Sequence, residues 1–147
     1  MRPFHARFAS ALLVGVLWCN AAQAAGRLEI EQAWIRSAPP GAMMLAGYAV
    51  MSNSGDAPVT VIGAESADFG AVSLHQSIEE NGVEHMRPLG TFAIAPGASV
   101  AFVPGAKHLM LMRPVRELKS GDVVRIHIDS ETGDGARADF TVRDSAP

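Results

Sequence analysis

From residue 25 onward the chain has no stretch of sustained helical periodicity; short β-branched and apolar runs alternate with clusters of Gly, Pro, Asn and Asp. No other feature restricts the fold as much. A helix needs an apolar stripe kept up over ten or more residues, whereas a strand needs only period two over four to eight. The runs predict strands near 28–35, 45–53, 58–65, 72–79, 83–89, 99–103, 109–112, 123–129 and 136–143. Turn-forming sequences separate them, including Ala38-Pro39-Pro40-Gly41, Asn53-Ser54-Gly55-Asp56, Asn81-Gly82, Pro104-Gly105 and Thr132-Gly133-Asp134-Gly135. Many short strands at this spacing imply an all-β chain, an antiparallel sandwich or barrel.

The first residues follow a different logic. Arg2 and Arg7 precede an apolar run over 8–19, and Ala22-Gln23-Ala24 follows. A charged start, an apolar middle and a small-x-small site make a secretory signal. The run is too short to span a bilayer as a helix. Cys19 invites a lipid-anchor reading, but Trp18 stands before it, where a lipoprotein signal wants a small residue. The expected division is a signal over 1–24, cleaved after Ala24, and one domain over 25–147, with no membrane span.

Cleavage removes Arg2 and Arg7 from the 12 basic residues, leaving 10 against 15 acidic, a net charge of −5. No basic block remains, which argues against nucleic acid as a partner. The single cysteine, Cys19, departs with the signal. Disulfide stapling, thiol chemistry and thiolate-bound zinc are therefore not expected. A soft metal ligand in such a chain has to be a Met thioether.

Two segments carry ligands of that type. In the segment 72–89, Asn81-Gly82 lies between alternating strands, the strongest short signal for a two-residue hairpin turn. That turn pairs Glu80 with Val83, Ile78 with His85, Ser77 with Met86 and His75 with Pro88. His75 and Met86 then share a face as diagonal neighbours, with Cβ atoms roughly 7–8 Å apart. His85 points to the opposite face. The second segment is Lys107-His108-Leu109-Met110-Leu111-Met112. Extended, it sends the leucines to one face and His108, Met110 and Met112 to the other. The leucines explain themselves as core. The methionines on the polar side need another reason. Of the remaining histidines, His5 belongs to the signal, and the alternation of 123–128 makes His127 a solvated strand residue.

Imidazole and thioether donors without a carboxylate suit Cu(I), a soft ion that needs no anionic ligand. Mg and Ca gain nothing from sulfur, and zinc prefers thiolate, imidazole or carboxylate. A blue-copper centre would need a Cys thiolate. The chain has no phosphate-binding glycine loop, no His-carboxylate cluster and no nucleophile elbow. A copper enzyme would want further His ligands and an open position, and parity turns His85 and His127 away. Binding without catalysis is the expectation.

Ten residues separate His75 from Met86, and twenty-one separate Met86 from His108-Leu109-Met110. This spacing, with Ala33-Trp34-Ile35-Arg36, Pro39-Pro40-Gly41, Glu79-Glu80-Asn81-Gly82-Val83 and Met86-Arg87-Pro88, resembles the PCu(A)C family of periplasmic copper chaperones. The resemblance covers nearly all of 25–147. It implies a cupredoxin-like Greek-key β-sandwich with one exposed Cu(I) site formed by His75, Met86, His108 and Met110. It also implies a periplasmic monomer that delivers copper toward the copper-A centre of cytochrome c oxidase, alone or with a thioredoxin-like copper protein. The alternatives are copper buffering or resistance, and protein interaction without transfer. No His- and Met-rich tail follows Ala146-Pro147, so a second Cu(II) site is not expected. Met43-Met44 are expected in a loop as exposed or packing residues.

Overall fold

A computed structural model describes residues 24–147; the expected signal, apart from Ala24, lies outside the described residues. Ten strands follow in order: β1 Leu28–Arg36, β2 Met44–Asn53, β3 Val59–Glu65, β4 Phe69–Glu80, β5 Val83–Pro88, β6 Phe92–Ile94, β7 Ser99–Phe102, β8 Lys107–Pro114, β9 Val123–Ser130 and β10 Ala136–Arg143. No helix occurs among the described residues. Seven strands form a ring, β4-β8-β2-β1-β10-β9-β3, closed where Ala64 of β3 pairs with Val72 of β4. Of the three others, β5 extends the free length of β4, β6 pairs with β3, and β7 continues along β2 beyond the end of β8. Only β1 and β10 run parallel. The result is the expected cupredoxin-like Greek-key sandwich, with its sheet edges joined into a flattened barrel.

Period two sorts the side chains. In β9, Val124, Ile126 and Ile128 are wholly buried, and Arg125 between them is exposed. The same rule buries Leu109 and Leu111 of β8 with Ile35, Met51, Val61, Phe102, Phe140 and Val142 in one core. Each large aliphatic side chain buried there contributes about 1.5–3 kcal/mol before chain entropy is set against it.

The hairpin forms as its turn dictates. Asn81 and Gly82 both have positive φ, 55° and 77°, as a type I′ turn requires. The register is Glu80 with Val83, Ile78 with His85, Ser77 with Met86 and His75 with Pro88. Two strand expectations need correction. β6 was not anticipated, because three residues between Gly90 and Pro96 are too few to display a period. Met44 is the first residue of β2 rather than part of a loop, held by its pairing with Met112.

Asn53 pins one end of the barrel. It is 1% exposed, and its Oδ1 accepts from the backbone N–H groups of Arg27 and Gly55, each at 3.0 Å. Its Nδ2 donates to the carbonyls of Ala57 at 2.7 Å and Ile94 at 2.9 Å. One side chain thus satisfies four backbone groups from three segments. Asn53→Ala leaves them unpaired, and a loss of about 2–4 kcal/mol in unfolding free energy is expected from urea titration.

Candidate metal centre

The wall formed by β5, β4, β8 and β2 has an inner apolar face and an outer face carrying His and Met. Leu74 pairs with Leu109 and Val72 with Leu111 on the inside. In the alternate register positions His75 pairs with His108 and Ser73 with Met110. The structure therefore makes the two histidines direct cross-strand neighbours. Their ring centroids lie 6.0 Å apart with the planes tilted by 32°. An imidazole nitrogen binds a metal at roughly 2 Å, so two rings this close can share one ion without strand movement.

Met110 follows His108 by two residues on the same face, diagonal to His75. Met86 sits across the hairpin from Ser77, also diagonal to His75, and is 53% exposed. The four residues expected from the sequence thus lie on one outward surface, with the histidines central and one thioether on either side. His85, opposite Ile78, is exposed on the other face of the hairpin.

The two rings sit in different polar surroundings. His108 is only 7% exposed, and its Nδ1 lies 3.2 Å from the Ala106 carbonyl oxygen. With Nδ1–H donating to that oxygen, Nε2 is the nitrogen left to face a metal. The same carbonyl accepts from the Ser77 backbone N–H at 3.1 Å, which ties β4 to the turn before β8. On the other ring, Nδ1 of His75 is buried without a hydrogen-bond partner. Burial, and then the nearby His108, lower the His75 pKa from its ordinary 6.5.

Ser73, between His75 and Met110, was not singled out from the sequence. Its Oγ is buried and unpaired in the same patch. Its only sequence signal is its place two residues before His75. Among the described residues no three His, Cys, Asp or Glu side chains converge as a metal site. The soft donors beside His75 and His108 on this face are the thioethers of Met86 and Met110.

His127 needs a correction. It faces outward as expected, but its side chain is only 21% exposed rather than solvated. Its strand neighbours are Arg137 and Glu65, its Nε2 lies 3.3 Å from Asp129 Oδ1, and its Nδ1 is buried without a partner. The ring is covered because Gly135 lets it pack directly against the backbone.

The fold and this face define a cupredoxin-like domain bearing an outward-facing His–Met cluster. Over residues 28–142 the chain matches the family described as "Putative lipoprotein LpqE-like", and it belongs to that family. It is 27% identical over 153 residues to "Putative lipoprotein Lxx21020" of Leifsonia xyli subsp. xyli, covering 97% of this chain and 91% of that one. Among solved structures it is similar to the copper-bound PCuAC domain from PmoF2, at 25% identity and a TM-score of 0.65, covering 83% of this chain and 95% of that domain. It is also similar to CuI-DR1885 from Deinococcus radiodurans, at 25% identity and a TM-score of 0.58, covering 86% and 84% of the two chains.

The depressed His75 pKa has a consequence for stability. The unfolded chain takes up the proton near the ordinary 6.5 and the folded chain only at lower pH. This contribution is therefore full above that value and is lost as pH falls through the lower folded pKa. NMR titration of the metal-free protein should place the His75 midpoint below 6.5, with unfolding free energy declining over the same acid range.

Proposed function

We propose that this chain is an exported copper chaperone that binds one Cu(I) through His75, Met86, His108 and Met110 and hands it on. The observation that carries the reading is the His75–His108 pair, 6.0 Å apart on an outward face and flanked by thioethers. Two neutral imidazoles and two neutral thioethers make a soft donor set with no anionic charge, which Cu(I) tolerates and harder ions do not. The likeness to a copper-bound PCuAC domain and to CuI-DR1885 supports copper as the ion and Cu(I) as its state.

The role is carriage rather than catalysis. Neutral donors on an open surface let a recipient's ligands replace them one at a time, without moving the barrel. The expected recipient is the copper-A centre of cytochrome c oxidase, reached directly or through a thioredoxin-like copper protein. Export to the periplasm follows from the N-terminal signal, and the lipoprotein wording of the matched family accords with export. The mass of the mature protein separates cleavage after Ala24 from lipid attachment at Cys19.

Titration against a competing Cu(I) chelator should give one tightly held Cu(I) per chain. His75→Ala should lower the affinity by roughly a hundredfold or more, beyond what loss of an outer-shell partner costs. His85→Ala should leave it unchanged. Affinity should fall from pH ~7 to ~5 as protons compete for the imidazoles. It should also fall at neutral pH after mild peroxide, which replaces soft sulfur by sulfoxide. Equal losses for the two histidine variants, or indifference to both pH and peroxide, would remove the His–Met site.

A further inference from the structure

The methionines are unevenly placed. Met51 is wholly buried in the barrel, whereas Met44 and Met86 are 55% and 53% exposed on the wall that carries the histidines. The β2–β8 register sets Met44 directly opposite Met112 and Ala46 opposite Met110. Opposed residues share a face, with Cβ atoms about 4.5–5.5 Å apart, within reach of two flexible thioethers. Alternation along β8 places Met112 on the same face as Met110 and His108. Across the other edge of β8, Met112 and Met110 meet Ala71 and Ser73. Ala46, Ala71 and Ser73 are thus small residues beside the sulfur row, in which Met110 and Met112 are partly exposed.

Packing does not account for Met44. A side chain more than half exposed adds little to the core, and the inward positions of this wall are already filled by Leu45, Leu109 and Leu111. What a thioether offers that another apolar side chain does not is a soft donor atom.

We propose that Met44 and Met112 form a second soft-metal station, a thioether-only site for Cu(I) or its closed-shell analogue Ag(I), contiguous through Met110 with the His75–His108 pair. The inference rests on the four-residue reading above and extends it. With fewer donors and no imidazole, the station binds more weakly and fills second. Its place at the start of β2 makes it a point where an ion can be held while entering or leaving the main site.

The test is a titration of the protein with Ag(I), followed by NMR of 13C-labelled methionine methyl groups. The first equivalent should shift Met86 and Met110, and the second should shift Met44 and Met112, with buried Met51 unmoved. In a Met44→Leu/Met112→Leu variant, which keeps apolar volume, the second equivalent should bind at least tenfold more weakly and the first within twofold of wild type. Met44 and Met112 signals that stay in place under excess Ag(I), or an unchanged second affinity in the variant, overturn the station. A first equivalent that leaves Met86 and Met110 unmoved overturns instead the four-residue site, so the two failures are told apart.

Discussion

The two-residue period of β8 is the constraint on which the rest of this molecule depends. Leu109 and Leu111 are wholly buried, and no shift by one residue can keep them there. Their burial therefore fixes His108, Met110 and Met112 on the outer face, whatever those side chains would prefer individually. The flanking strands repeat the arrangement: Leu74 and Val72 lie inside on β4, and His75 and Ser73 outside. The core energy of the barrel thus holds the register of the site, and the outer residues need contribute nothing to stability to stay in place.

Burial and exposure are divided within the site in a way that suits the donors proposed for it. The histidines are the covered members, with His108 7% exposed and the Nδ1 of His75 unpaired in the interior of the patch. Burial disfavours a charged imidazolium at His75 and lowers its pKa, so that ring favours the form that offers a lone pair. Thioethers carry no charge at any pH and need no such shelter, and Met86 stands half-exposed on the hairpin. The pattern separates the covered histidines from an exposed thioether.

Much of this was legible in the sequence because it follows from local rules. Asn81-Gly82 fixed the hairpin register, since only residues tolerant of positive φ allow a turn whose twist matches its strands. Alternation in 107–112 and 123–128 then sorted inside from outside. What stayed hidden is non-local. The closure through Ala64 and Val72 and the parallel pairing of β1 with β10 join segments whose own patterns carry no mark of the partner. Likewise the cover over His127 comes from Gly135 and Glu65, and the pairing that draws Met44 into β2 comes from Met112. Ser73 was missed because a serine facing outward from a strand ordinarily meets water, and only the tertiary setting buries its Oγ.

The placement of the site also bears on how an ion could leave it. In the proposed role the donors come from three strands, but they do not depend equally on the barrel. His75, His108 and Met110 belong to β4 and β8, which pair along seven register positions and are backed by the core. Met86 belongs to β5, which pairs only with β4 and whose six residues are all exposed. Opening near a solvent-exposed hairpin costs far less than opening the barrel, because little apolar surface is uncovered. Loss of Met86 is therefore the cheapest first step in releasing an ion. It would leave two oriented imidazoles and one thioether as the holding set, while the vacated position faces solvent on the side from which a recipient must approach. Exchange through that position proceeds by substitution of one weak neutral donor at a time, so the barrel has no need of a second conformation.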